Sequence, residues 1–86
     1  MTSVPREGDT KFKVLIAVRD HMAESRKGPS VEELRAALGL NARSTVQFHI
    51  NDLVDEGYLS QVPGKRRTLR VTRKGEHLIQ ILEAKQ

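Results

Sequence analysis

The spacing of apolar residues predicts three helices, a short hairpin and a last helix. Between Thr10 and Arg26, Phe12, Leu15, Ile16, Arg19, Met22 and Ala23 recur at helical spacing. This stripe is predicted to face a core, while Lys11, Lys13 and Lys27 stay in water. Asp9 or Thr10 offers a short side-chain oxygen to the free amides of the first turn, and Gly28-Pro29 stops the helix. Ser30 followed by Glu33 is a capping box. Val31, Leu34, Ala37 and Leu38 then turn inward, and Gly39 suits a left-handed position after the helix. Asn41 is predicted to cap a third helix that runs to about Glu56, before Gly57 breaks it.

Beyond Gly57 the period shortens. Tyr58 to Val62 and Thr68 to Val71 read as two strands with Leu59, Leu69 and Val71 inward. Pro63-Gly64 between them is a turn, because proline presets the first dihedral and glycine tolerates a positive one next. Thr72 is predicted to cap a last helix through about Ala84. Its apolar set, Leu78, Ile79, Ile81 and Leu82, is wider than one core stripe needs.

The third helix carries the most informative face. Each helical residue advances about 100°, which groups Val46, Ile50, Leu53 and Gly57 on one side with His49 and Val54 at its margins. Ser44, Phe48, Asn51 and Asp55 fall opposite, flanked by Thr45 and Gln47. A phenylalanine in the middle of a polar face needs a reason, since exposure leaves its apolar area in water. Either it packs on a thymine methyl or sugar in a major groove, or it packs under the hairpin or in a subunit contact. The first half of such a helix normally enters the groove, which favours the former. Ser44, Thr45 and Gln47 then reach base edges or phosphates. Arg43, beside the helix N-terminus, stands where a phosphate meets free amides; a salt bridge within the chain is the alternative.

Charge sharpens this picture. The net charge is only +4, from 15 Lys and Arg against 11 acidic residues, but its placement is uneven. Lys65, Arg66, Arg67, Arg70, Arg73 and Lys74 crowd into ten residues, while acids gather at Glu32, Glu33, Asp52, Asp55 and Glu56. A segregated positive patch is a footprint for a polyanion, although a charge run is also compatible with a solvated hairpin. Lys65, Arg66 and Arg67 at the tip are placed to reach flanking phosphates or a narrow minor groove. A helix-turn-helix followed by a cationic hairpin is a winged helix, a shape suited to duplex DNA.

Other chemistries find little support. There is no Cys, so no disulfide framework and no thiolate site. No Ser–His–Asp or Cys–His set, metal-ligand spacing or Gly-rich phosphate loop occurs, so neither an enzyme, a cofactor nor a metal is expected. Asp52, Asp55 and Glu56 read as a solvated face. His49 reads as a partly buried, hydrogen-bonded histidine, because His21 and His77 are distant in sequence. No apolar run approaches membrane-spanning length, no secretory signal is evident, and a cytoplasmic location is expected.

With those residues in hand, the chain resembles the N-terminal DNA-binding domain of the LexA repressor family from about Lys11 to Val71. The likeness is densest at Pro29-Ser30, Glu33-Leu34, Leu38-Gly39-Leu40, Ser44-Thr45-Val46, His49, Leu53 and Glu56-Gly57-Tyr58-Leu59. The resemblance implies three helices with a two-stranded wing, binding to inverted-repeat operators as a dimer, and repression. It carries base reading to Ser44, Thr45, Gln47 and Phe48, the last two departing from common members. Full repressors continue into a dimerising, self-cleaving domain with a Ser–Lys pair; these residues are expected to lack it and its activity. Thr72-Arg73-Lys74-Gly75 is similar instead to the lead-in to the last helix of MarR-like regulators, where terminal helices pair subunits.

The expectation is therefore a mainly α (α+β) winged helix-turn-helix. Residues 1–9 form a flexible arm, 10–72 the DNA-binding domain and 73–86 a C-terminal helix. Arg43, Ser44, Thr45, Gln47, Phe48, Asn51, Lys65, Arg66 and Arg67 contact double-stranded DNA. Leu78, Ile79, Ile81 and Leu82 pair a homodimer or, alternatively, complete the core. The rival reading is a winged-helix adaptor that docks on polymerase or another regulator.

Overall fold

Helix α1 (Arg6–Glu24) lies across α2 (Val31–Leu38) and α3 (Arg43–Asp55), then meets the hairpin strand β2 (Arg70–Val71) and α4 (Arg73–Ala84). Strand β1 (Leu59–Ser60) follows α3 and pairs antiparallel with β2, Leu59 opposite Val71 and Ser60 opposite Arg70. This computed structural model describes residues 6–65 and 67–84. Residues 1–5 of the expected arm lie outside that range. The architecture is the winged helix-turn-helix that the apolar pattern predicts.

One core joins every helix and the hairpin. Val14, Leu15 and Val18 of α1 meet Leu34 of α2, Val46, Ile50 and Leu53 of α3, Leu59 and Leu69 of the hairpin, and Ile79 of α4. The predicted α1 stripe is thus rotated. Its buried centre runs through Val14, Leu15 and Val18, while Phe12, Ile16 and Met22 sit half-buried at its edges and Ala23 is exposed. The cause is that α1 packs against four elements at once, so its buried arc is wider than one stripe. Ala37, expected inside, is exposed, because α2 packs only on α1 and α3 among the principal helix contacts.

Helix starts also shift. α1 begins at Arg6 rather than near Thr10. Residues 6–9 therefore belong to the helix and not to an arm, and neither Asp9 nor Thr10 is its cap. The α2 capping box is present in full and Gly39 closes that helix in the left-handed conformation. α3 is entered through Ala42 in extended conformation, with no side-chain cap. Asn41 stands one residue too early to cap it.

Lys11 is not left in water. Its side chain is 16% exposed, and its ammonium pairs with Asp52 at 2.9 Å and with Glu56, fastening α1 to the second half of α3. Those two acids are therefore engaged, not merely solvated. Burial opposes the charge on Lys11, but the two carboxylates outweigh it and raise its pKa above the ordinary value. Arg19 bridges to Glu83 at 2.7 Å, tying α1 to α4. Thr72 joins hairpin to helix: its hydroxyl donates to Gly57 O at 2.6 Å and accepts the Gly75 N–H at 3.0 Å, so it caps α4 as predicted.

α4 corrects one expectation about subunit pairing. Ile79 is a core residue, 1% exposed, and is unavailable to a partner. Leu78 is half-buried against the same core. Leu82 is half-buried, and only Ile81, 41% exposed, is an exposed large apolar residue of this helix. No described helix is long and apolar enough to cross a membrane.

Candidate nucleic-acid interface

α3 is held by its inner face and presents the outer one. Val46, His49, Ile50 and Leu53 are buried, and their spacing leaves Ser44, Thr45, Phe48, Asn51 and Asp55 exposed on the far side. Phe48 is 67% exposed. Its ring meets His49 edge-on, with centroids 5.5 Å apart at an interplanar angle of 69°. His49 is 7% exposed, and its Nδ1 finds no hydrogen-bond partner among the described residues. The hydrogen bond predicted from sequence is thus not made through Nδ1, which sits at the margin of an apolar face. Gln47 is half-buried and its Nε2 donates to Asn51 Oδ1 at 2.8 Å, one helical turn on.

The start of α3 faces a cleft of about 490 Å³ shared with the wing. Arg43 and Gln47 line one wall, Ser30 and Glu32 of the α2 start another, and Gln61, Lys65, Arg67 and Thr68 the third. Ser44 joins Arg43 and Gln47 in a smaller adjoining recess. Arg43 makes no ion pair among the described residues, so the salt-bridge alternative for it is not realised there. The amides of the α3 start lack a side-chain cap, and they lie beside that cation.

The wing tip is built by side chains as much as by ladder. Lys65 N–H donates to Val62 O at 3.2 Å across Pro63-Gly64, and Gly64 takes φ +77°, the positive dihedral that a type II turn requires. The strands are shorter than predicted: proline has no N–H to offer the ladder, and beside it the Thr68 hydroxyl, in place of a strand carbonyl, accepts the Val62 N–H at 2.9 Å. Pro63, Gly64 and Lys65 stand exposed. Arg66 lies outside the described residues.

The crowd of cations in the sequence is dispersed by the fold. Arg67, expected on phosphate, donates to Glu33 Oε1 at 2.9 Å. Arg70 lines a separate cleft with Arg19, Met22 and Glu76. Lys74 donates to Glu56 O at 2.7 Å and lies 4.9 Å from the Tyr58 ring centroid, closing the end of α3. The acids of the first α2 turn are likewise occupied. Arg35 holds Glu32 at 2.6 Å and depresses its pKa; Glu33 is depressed by the Ser30 N–H and then by Arg67. The roles of Ser30, Gln61 and Thr68 in this cleft were not foreseen. The capping box marks Ser30 and the hairpin signals bracket Gln61 and Thr68, but neither signal says that the hairpin folds back on a segment 34 residues away. Among the described residues, no group of three His, Asp or Glu could hold a metal ion.

A family model described as the LexA DNA binding domain matches residues 9–68. The chain belongs to that family. It is 40% identical over 65 residues to the LexA repressor of Limosilactobacillus reuteri, covering 76% of this chain and 31% of that protein. Against the LexA repressor of Limosilactobacillus fermentum it is 35% identical over 79 residues, 91% of this chain and 38% of the relative. The likeness to the LexA repressor of Pediococcus pentosaceus reaches 45% over a shorter stretch of 47 residues, covering 55% of this chain and 22% of that protein. The chain thus spans about a third of the length of the first two LexA relatives.

Proposed function

We propose that this chain is a sequence-specific double-stranded DNA-binding regulator, acting in the cytoplasm as a repressor. α3 reads the major groove, and the wing follows phosphates or the minor groove. The observation that carries this reading is the outer face of α3. It places a 67% exposed Phe48 among polar side chains and opens at its start onto a cleft lined by Arg43 and Lys65. Membership of the LexA DNA-binding family supports it, as do the LexA repressors among its relatives.

In this reading Ser44, Thr45, Gln47 and Asn51 meet base edges, and Phe48 packs on a thymine methyl. Arg43 and the uncapped amides of α3 meet one phosphate; Lys65, with Arg66, meets others. Gln47 and Asn51 exchange their mutual bond for bonds to bases, so little desolvated polarity is left unpaired. The protein binds an inverted repeat as a homodimer, with Ile81 and Leu82 of α4 in the contact. Bound protein alone blocks a promoter, hence a repressor.

The test is selection from a random duplex library at physiological salt. Recovery of an inverted repeat supports the dimeric regulator, and its half-site spacing locates the two α3 helices. Retention without enrichment sinks sequence specificity. No retention sinks DNA binding and leaves the protein-docking adaptor.

A further inference from the structure

We propose that Glu33 is a positioning residue for the wing: its carboxylate joins the start of α2 to Arg67, aims the hairpin relative to α3, and keeps Arg67 off phosphate. The inference rests on the duplex-DNA reading above and adds what sets its specificity. Three bonds meet at this point. The Ser30 N–H donates to Glu33 Oε1 at 2.8 Å. Arg67 Nη1 donates to the same oxygen at 2.9 Å. The Gly28 N–H donates to the Arg67 carbonyl at 3.1 Å. A single wing residue is thus gripped through its side chain and its main chain by residues on either side of the α2 cap.

Two further observations mark this as a built junction. Arg67 takes φ +59°, a left-handed conformation that residues other than glycine rarely hold unless their surroundings over-determine it. Gly28 approaches the wing so closely that a Cβ there would collide with the Leu69 carbonyl oxygen. The hairpin base therefore docks backbone to backbone, and the ion pair sets its direction.

The pair does little for stability. Its side chains are 43% and 41% exposed, and exposed ion pairs contribute little to folding. Its value is geometric. A wing that contacts phosphates binds any duplex. It favours one sequence only if its phosphate register is fixed relative to the base-reading helix. Leu59 and Leu69 seat the base of the hairpin in the core, but its own ladder is only two residue pairs long, so a tether at Arg67 helps the outer wing keep its register with α3.

The experiment uses the full chain with Glu33→Gln and Arg67→Gln. Glutamine at 33 keeps an oxygen for the Ser30 N–H but loses the charge that holds Arg67. Three readouts are taken: exchange of the Gly28 amide, affinity for a library-selected duplex against a random duplex, and the salt dependence of each. Glu33→Gln is expected to keep the melting temperature and speed Gly28 exchange. The selected-to-random affinity ratio should fall by about tenfold, within the usual range for coupled sites. Its salt slope on random duplex should steepen by up to about 0.9 as Arg67 is released to phosphate. Arg67→Gln is expected to lower the ratio similarly without flattening the slope. A slope flattened by about 0.9 in Arg67→Gln, with Glu33→Gln unchanged, would place Arg67 on phosphate and overturn the proposal. So would an unchanged ratio in both variants. If the unmodified chain binds no duplex, the DNA reading fails, and Gly28 exchange alone still decides whether Glu33 holds the wing.

Discussion

Helix α3 and the wing face the same cleft but are held to different degrees. α3 puts Val46, Ile50 and Leu53 into the common core and is fastened to α1 by Lys11 through Asp52 and Glu56. Its far end is closed by Lys74 on the Glu56 carbonyl. The wing puts Leu59 and Leu69 into that core at its base, but beyond them it is held by two ladder pairs, the Thr68 hydroxyl on the Val62 N–H, the Gly28 N–H on the Arg67 carbonyl and one exposed ion pair. Base edges demand angles and distances that only a locked helix supplies, whereas phosphates accept a charge from many directions. The rigid element suits readout of sequence, and the loosely laddered one suits electrostatic attachment.

The contrast breaks most completely if α3 loses its anchor. Leu53→Ala removes a fully buried side chain and is expected to cost about 2–5 kcal/mol, a large part of the roughly 5–15 kcal/mol available to a domain. Denaturant titration should show that loss, and binding to selected and random duplexes should fall together. A cost well below about 1 kcal/mol would mean the core around α3 is not as tight as drawn.

Phe48→Ala separates reading from folding on the same helix. The ring is mostly exposed, so the melting temperature should hardly move. Affinity for a selected duplex should drop by about 1–3 kcal/mol, the usual cost of one spoiled base contact, with random duplex little affected. Replacing the contacted thymine by deoxyuridine should reproduce the loss, because only the methyl is removed. A large fall in melting temperature would instead make Phe48 a packing residue.

On the wing the expected change is smaller and blind to sequence. Lys65→Ala should lower the log–log salt slope by about 0.9, the counterion share of one phosphate contact, equally for selected and random duplexes. A loss confined to one sequence would give the wing a reading role and blur the division between the two elements.

These two regions also differ in how far they can be read from the chain. The α3 face follows from period alone: Val46, Ile50 and Leu53 inward, Ser44, Phe48 and Asn51 outward, all as the wheel has them. The Pro63-Gly64 turn and the Thr72 cap are equally local and equally legible. What could not be read was long-range. Lys11 finds its acids on another helix. Arg67 is drawn to a carboxylate 34 residues away, and Lys74 to the end of α3. A count of basic residues treats these cations alike, because charge in sequence carries no direction. The α1 stripe was misplaced for a related reason, since only the tertiary fold reveals that α1 packs on four elements.

The gentlest probe of the contrast is acid. The Ser30 N–H, and after it the Arg67 guanidinium, hold the Glu33 carboxyl below its ordinary value of 4.5. A depressed carboxyl contributes its full share above the ordinary value and loses it as pH falls through the depressed one. Protonation removes the negative charge that Arg67 meets, while the wing ladder and the buried side of α3 involve no part of that carboxyl. The protection factor of the Gly28 amide, corrected for the intrinsic pH dependence of exchange, should therefore decline below pH 4.5, ahead of Leu53. In Glu33→Gln it should already be low and stay flat through the same window. An acid decline of equal size in that variant would assign the effect to other carboxyls, and the wing would then be no more separately tethered than the helix beside it.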